Sequence, residues 1–426
     1  MEKKVEPASR KGKVIVPASK SDVQRAYLAA ALAEGTSVIS GTGTSDDERA
    51  MLTAIQMLGA RVTHSETEAV IEGMAHFPET AIISAGESGL GIRLLGMVCA
   101  AHPGYFTITG TGSLVTRPMD FFEEVVPKFG GSCSTDKGTL PLRFQQPMKG
   151  AEVEVDGSLS SQFISGLLMA LPLAEGDSLL HVNELKSSPY VEMTLQTLEA
   201  FGITISYTGL DRFEIKGNQK YKAANYAVDA DWSSASYWLI ASAIGHPVSV
   251  HGLKMNSLQA DKNLLNFLMA ANCKVNRSEN GITIDGSQRQ SFSVDATNCP
   301  DLFPALVTLA AFCNGESVIK GVLRLMHKES DRSLTLQSEF GKLGVRIALT
   351  EDTMTIHGNG KLKGGNVSSH HDHRIAMALA IAGLSAETAV IIEDAEAVSK
   401  SYPEFWDVLE GLEADASASE KLQDFF

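Results

Sequence analysis

Two interleaved series of turn residues run along the chain at one shared period, and any fold for this sequence has to accommodate that repetition. The first series closes apolar, Ala/Leu-rich stretches at Gly35, Gly104, Gly176, Gly245, Gly315 and Glu387, with spacings of 69, 72, 69, 70 and 72 residues. The second, in segments such as LGARV, FGITI and LGVRI, falls at Gly59, Gly130, Gly202, Asn272 and Gly344, spaced by 71, 72, 70 and 72. With 37 glycines in 426 residues one coincidence means little, but two series in step point to duplication. Between the marks the pattern reads helix, β-branched strand, helix, then a hairpin such as RIALTEDTMTIHG, a mixed α/β unit of about 70 residues met six times. The sixth unit should reach its hairpin near residue 415, where EADASASEKLQDFF offers none. The N-terminal KKVEPASRKGKVIVP has the look of a hairpin and is expected to complete that last unit. On this reading the N-terminus belongs with the C-terminal domain, and the intervening chain is inserted into it.

Charged residues are 20% and hydrophobic ones 44%, the profile of a folded globular chain. The formal charge of −15 argues against a nucleic-acid or anionic-membrane surface, so any anion must meet a local cluster of cations. The five cysteines (Cys99, Cys133, Cys273, Cys299, Cys313) lack metal-ligand spacing and read as free thiols in a reducing compartment. The N-terminus has no apolar signal stretch, and the longest apolar run, Phe163 to Ala174, is too short to span a bilayer. A cytoplasmic protein is expected. His370, His371 and His373 cluster without a second set of ligands, so no metal is expected. There is no phosphate-binding GxxxxGK[ST], no dinucleotide GxGxxG after a strand, no HExxH and no GxSxG.

The Ala/Leu-rich helices are apolar all round and are expected at the centre of their domains. Their polar residues collect at the helix starts: SKSDVQR (19–25), GESGLGIR (86–93), SLSSQF (158–163), DADWSSAS (229–236), NCPD (298–301) and HHDHR (370–374). Asp231, Ser233 and Ser234 are accounted for by capping. Lys20, Arg25, Arg93 and Arg374 are not, because cations are disfavoured at the positive end of a helix dipole, and a bound anion would resolve the conflict. Further cations lie at Arg117, Arg324, Lys328, Arg332 and Lys400.

Taken in order, PASKSDVQRAYLAAALAEG, RPM, SSQFISGLLMALPLA, SSPY, DWSSASYW, PDLFPALVTLA, HKESDR, DHRIAMALAIAGL and SKSYPEFW resemble the 5-enolpyruvylshikimate-3-phosphate (EPSP) synthase family of enolpyruvyl transferases, nearly end to end. The resemblance implies a two-domain inside-out α/β barrel with six repeated units, three per domain, helices central and sheets outside. It places one domain at 1–18 plus 230–426, the other at 19–229, and the active site in the cleft between them. Groups drawn from both halves imply closure around the first substrate. The implied reaction joins the 5-hydroxyl of shikimate 3-phosphate to C2 of phosphoenolpyruvate and releases phosphate. No organic cofactor or metal is implied, the partners are small-molecule substrates, and a monomer is expected.

Carried over position by position, Ser21, Arg25, Ser160, Ser161, Gln162, Ser187, Asp301 and Lys328 correspond to the shikimate-phosphate side. Lys20, Gly89, Arg117, Gln162, Arg332, Arg374 and Lys400 correspond to the phosphoenolpyruvate side. Asp301 is the implied base for the hydroxyl and Glu329 the acid for C3, with Lys20 assisting. Seven cations, Lys20, Arg25, Arg117, Lys328, Arg332, Arg374 and Lys400, are expected as countercharge to two phosphates and two carboxylates. The related UDP-N-acetylglucosamine enolpyruvyl transferases typically carry a reactive Cys shortly before the RPxD segment; residues 108–116 contain none. One departure stands out: where many EPSP synthases read NAGTAxRP, this chain has Glu87-Ser88-Gly89-Leu90-Gly91-Ile92-Arg93-Leu94. Glu87 is expected either to pair with Arg93 or another local cation, or, with Leu90, to reshape the pocket against glyphosate, the family's phosphoenolpyruvate-competitive inhibitor.

Overall fold

A computed structural model describes residues 1–279, 281–326 and 328–414. The segment after 414, where the sixth hairpin was expected to be missing, and His327 of the HKESDR motif lie outside the described residues. The chain divides into two compact units: Met1–Pro17 with Ala230–Phe426, and Ala18–Asp229. Ala18 goes with the second unit because it packs against that unit's core.

The architecture is mixed α/β. In the 18–229 unit three open four-stranded sheets share one strand order. Thr36–Ser40 pairs in parallel with Asn225–Ala227 and antiparallel with Glu68–Glu72, which takes Arg61–His64 at the far side. Tyr105–Thr109 and Ser178–Asn183 occupy the same place in the other two sheets, each with a parallel neighbour on one side and a hairpin on the other. Strand alternation is strict where one face is buried: Glu152–Asp156 alternates exposed and buried along EVEVD. The helices Lys20–Leu32, Gly89–Ala100 and Ser161–Ala170 are buried along most of their length, as apolar helices must be. Each fully buried Leu or Phe on them stabilises the fold by about 1.5–3 kcal/mol. Close approach needs a small residue, and Gly166 supplies it: a Cβ there would lie 2.5 Å from the Arg93 carbonyl oxygen of the neighbouring helix. That contact brings the two helix starts, and their polar side chains, together.

The other unit repeats the pattern around Trp232–Ala243, Phe303–Ala311 and His373–Gly383, all buried. The turn marks that set the period have a backbone cause. Five of the six residues in the first series and all five in the second adopt positive φ, from 58° at Asn272 to 146° at Gly104, which glycine and asparagine tolerate.

The N-terminal segment corrects an expectation. Its two strands do not pair as a hairpin. Glu2–Val5 joins Val390–Glu393 antiparallel, completing the sixth sheet, whereas Arg10–Ile15 pairs in parallel with Val248–His251 of the fourth. Pro7 cannot donate to a ladder and falls in the link between them, where the Ala8 N–H instead donates to the Leu384 carbonyl at 3.1 Å. Five cysteines are free thiols, four of them buried. Among the described residues no helix is long and apolar enough to cross a membrane.

Candidate active site

In the 18–229 unit the predicted residues gather where the three central helices begin. Lys20 opens the first, and its Nζ lies 2.9 Å from Asp47 Oδ2. One turn on, Arg25 is fully enclosed: Nε donates to Thr194 Oγ1 at 2.7 Å, Nη1 to the Ser21 carbonyl at 2.7 Å, and Nη2 to Ser165 Oγ at 3.1 Å and the Tyr190 carbonyl at 3.2 Å. Burial pulls its pKa down to about 10, with Asp22 opposing, so it stays cationic at neutral pH. Ser187, buried with φ 54°, leads into the helix Pro189–Ala200 that supplies Tyr190 and Thr194.

Gly89 begins the second helix and has a positional reason to be glycine. A Cβ there would overlap Arg117 Nη1 and lie 3.0 Å from Arg93 Nη1, so two guanidinium groups converge on bare backbone. Arg93 Nη1 also donates to the Gly89 carbonyl at 2.8 Å and to Gln162 Oε1 at 2.9 Å, and its guanidinium stacks over Phe163 at 4.8 Å. Ser160 caps the third helix by accepting from the Gln162 N–H at 3.3 Å, and Ser161, buried, follows it. Ser88 caps the second and donates to Gln24 Oε1 at 2.7 Å. Glu87 lies with its carboxylate against the α-carbon of Gly112, the first residue of the turn Gly112–Thr116 that leads to Arg117.

In the other unit Asp301, Lys328, Glu329, Arg332 and Arg374 form one charge cluster. Asp301 Oδ1 accepts from Arg332 Nη1 at 2.6 Å and Lys328 Nζ at 3.2 Å, and Oδ2 from Arg374 Nη2 at 3.1 Å. Arg332 Nη2 reaches Glu329 Oε2 at 2.6 Å. Its Nε and Nη2 donate to both oxygens of Asp372 at 2.7 and 3.3 Å, and Asp372 also caps the helix that begins with His373-Arg374. Burial pushes the Asp301 carboxyl up, but Arg374, Lys328 and Arg332 outweigh it and hold the pKa well below the usual carboxylate range. Lys400, buried, closes the short turn Ala395–Lys400, which packs against the Arg374 helix. Asp231 caps its helix by accepting from the Ser233 N–H at 2.9 Å, with Ser234 Oγ donating to its other oxygen at 2.9 Å.

Lys20, Lys328, Arg332 and Arg374 already hold carboxylates, and Arg25 holds hydroxyls and carbonyls, because a buried cation left unpaired costs several kcal/mol.

Several members of the clusters were not foreseen: Asp47 at Lys20, Asp372 at Arg332, and Thr194 and Ser165 at Arg25. Asp261 is another. It is fully buried, accepts a short hydrogen bond from Ser233 Oγ, and is pushed up to about 7 by burial and then by the charge of Asp301. Between about pH 4 and 7 the folded protein keeps this proton and the unfolded chain has lost it, so folding stability from this group falls as pH rises through that window. Asp261→Asn is expected to remove that slope; denaturant midpoints at pH 5 and 7.5 that shift equally in parent and variant would reject it. Among the described residues no cluster of His, Cys, Asp and Glu is arranged to hold a metal ion.

The profile of a family described as EPSP synthase (3-phosphoshikimate 1-carboxyvinyltransferase) matches residues 5–409. A 3-phosphoshikimate 1-carboxyvinyltransferase of Clostridium botulinum (strain Alaska E43 / Type E3) is 39% identical over 418 residues, 96% of each chain. One from Clostridium kluyveri is 36% identical over 410 residues, again 96% of each. Among solved structures, an EPSP synthase from Acinetobacter baumannii superposes with a TM-score of 0.78 at 28% identity, covering 96% of this chain and 97% of that one.

Proposed function

This chain belongs to the EPSP synthase family, and from that premise we propose that it transfers the enolpyruvyl group of phosphoenolpyruvate to the 5-hydroxyl of shikimate 3-phosphate, releasing phosphate. The product lies on the shikimate pathway to chorismate and the aromatic amino acids. The observation that carries the chemistry is the Asp301–Arg332–Glu329 arrangement, two carboxylates on one guanidinium, each 2.6 Å from it.

The hydroxyl oxygen bonds to C2 as its proton passes to Asp301, while Glu329 delivers a proton to C3, giving a tetrahedral intermediate. Removal of a proton from the new methyl group then restores the double bond as the C2–O bond to phosphate breaks. Lys20, held by Asp47, assists proton transfer. As found, Arg374, Lys328 and Arg332 hold the Asp301 carboxyl below the usual carboxylate range, which weakens it as a base. When substrate anions take over Arg374 and Lys328, the carboxylate loses the charges that depress its pKa and becomes more basic, so binding prepares the base.

Ser21, Arg25, Ser160, Ser161, Gln162, Ser187, Asp301 and Lys328 are proposed to hold shikimate 3-phosphate. Lys20, Gly89, Arg117, Gln162, Arg332, Arg374 and Lys400 are proposed to hold phosphoenolpyruvate, with Arg93 added from its place at Gly89. The six sheets among the described residues, with their central helices, support a reading as six repeated units, three in each domain, and these are proposed to form an inside-out α/β barrel. The proposed domains are those two compact units, and the active protein is proposed to be a cytoplasmic monomer.

The test is a phosphate-release assay with phosphoenolpyruvate and either shikimate 3-phosphate or UDP-N-acetylglucosamine as acceptor. Turnover is expected with the first alone; release with the second alone, or with neither, rejects the assignment. Because Glu87 and Leu90 border the Gly89–Arg117 region, glyphosate is expected to inhibit weakly, and Glu87→Asn with Leu90→Thr to strengthen inhibition. Inhibition of the parent far below its phosphoenolpyruvate KM would count against this.

A further inference from the structure

Asp372 anchors Arg332 and caps the helix of Arg374, so its position sets the shape of the charge cluster. It stands at the end of a segment with unusual backbone. His370 (φ 51°) and His371 (φ 57°) are consecutive non-glycine residues in the left-handed region, and Asp394 (φ 54°), which the segment touches, is a third. Such conformations persist only where the surroundings over-determine them, and they gather at functional sites.

What over-determines this one is Glu339, whose side chain is 1% exposed. Its Oε2 accepts from the Ser368 N–H at 2.8 Å and Lys342 Nζ at 2.7 Å, and its Oε1 meets His370 Nε2 at 3.0 Å and Ser338 Oγ at 3.0 Å. The segment is tied on its other side too. Ser369 Oγ donates to the Asp394 carbonyl at 2.8 Å, the Ser369 N–H donates to the Glu393 carbonyl at 3.0 Å, and His371 Nε2 lies 3.7 Å from Asp394 Oδ2.

Glu339 and Arg332 lie on one helix, Arg332–Lys342, seven residues apart and so two turns along the same face. That helix thus grips the segment at both ends, with Glu339 at Ser368 and His370 and Arg332 at Asp372. A surface lysine alone would not account for a carboxylate buried this completely and bonded to backbone as well as side chains.

We propose that Glu339 is a positioning residue for the reaction: by holding 368–371 in its strained path it fixes the Asp372 carboxylate, and through Asp372 the orientation in which Arg332 presents itself to Asp301 and Glu329. The inference rests on the enzymatic reading above. Phosphate release by the parent chain is therefore measured first, since its absence rejects that reading rather than this one.

The test uses full-length Glu339→Gln, which keeps the side-chain shape and an acceptor for Ser368. Full-length His370→Gly accompanies it, since glycine adopts the left-handed backbone freely but drops the clamp. Both are expected to lower kcat tenfold or more with KM for each substrate changed less than threefold, and to shift the acid limb of the pH–kcat profile by at least half a unit. The double variant is expected to be no slower than the worse single one, because both act through one clamp. If Glu339→Gln does not fold, His370→Gly alone carries the test. An unmoved acid limb, with activity lost only in proportion to folded protein, assigns Glu339 a structural role and overturns the proposal, as does an unchanged kcat.

Discussion

Glu329→Gln is expected to lower kcat by about 10²–10⁴-fold, the usual contribution of a positioned general acid or base, while leaving shikimate 3-phosphate binding within a few-fold of the parent. The amide keeps the shape of the side chain and an oxygen for Arg332 Nη2, now 2.6 Å from Glu329 Oε2, so the cluster is preserved. It cannot carry the proton to C3. Steady-state phosphate release paired with calorimetric titration of shikimate 3-phosphate separates the two quantities. A variant that turns over at the parental rate removes Glu329 from the chemistry and leaves Asp301 and Lys20 to be reassigned.

Arg332→Met is expected to destabilise the fold by about 3–5 kcal/mol, the typical cost of leaving a buried charge without its partner. Arg332 is 1% exposed and holds Asp301, Glu329 and Asp372, the last fully buried. Burial alone would lower its pKa, but the carboxylates of Asp372, Glu329 and Asp301 raise it, so the guanidinium is charged at any working pH. Arg332→Lys keeps the charge but replaces a planar fork by a point donor that cannot bridge three carboxylates. It is expected to recover part of the stability and little of the activity. Denaturant unfolding of both variants checks the order; equal stability of Met and Lys variants would show that charge at this position is immaterial.

The period was legible in the sequence because it is written in backbone requirements: Gly59, Gly130, Gly202 and Gly344 need positive φ whatever surrounds them. The central helices were legible for a similar reason, since sequences such as AYLAAALAEG leave no polar face for solvent. The cations at the helix starts stood out as misfits to the helix dipole. The carboxylates that hold them did not. Asp47 and Asp372 look in sequence like ordinary helix-start residues, and Asp372 does cap a helix, so a local rule already accounted for it. Glu339 reads as one more acid on an amphipathic helix. Only the fold reveals that it faces inward, because its role comes from residues some thirty positions away. The N-terminal strands failed differently. A hairpin and two strands that part company have the same alternation, and which sheets they join depends on edges made by Val248–His251 and Val390–Glu393.

That parting has a consequence for synthesis on the ribosome. Arg10–Ile15 emerges early, yet its partner Val248–His251 follows only after the whole 18–229 unit has been made, and Glu2–Val5, made before it, waits longer still for Val390–Glu393. The contiguous unit can complete its sheets while the leading strands remain unpaired edges, the kind of exposed backbone that invites association between nascent chains. The pattern of the leading segment suits that interval: Lys3 and Lys4 outweigh Glu2 in one strand and Arg10, Lys11 and Lys13 stand in the other, a net positive charge that disfavours pairing between copies. Loop closures of this length are expected to make the discontinuous unit the slower of the two to fold, which stopped-flow refolding of the full chain followed by probes in each unit would check.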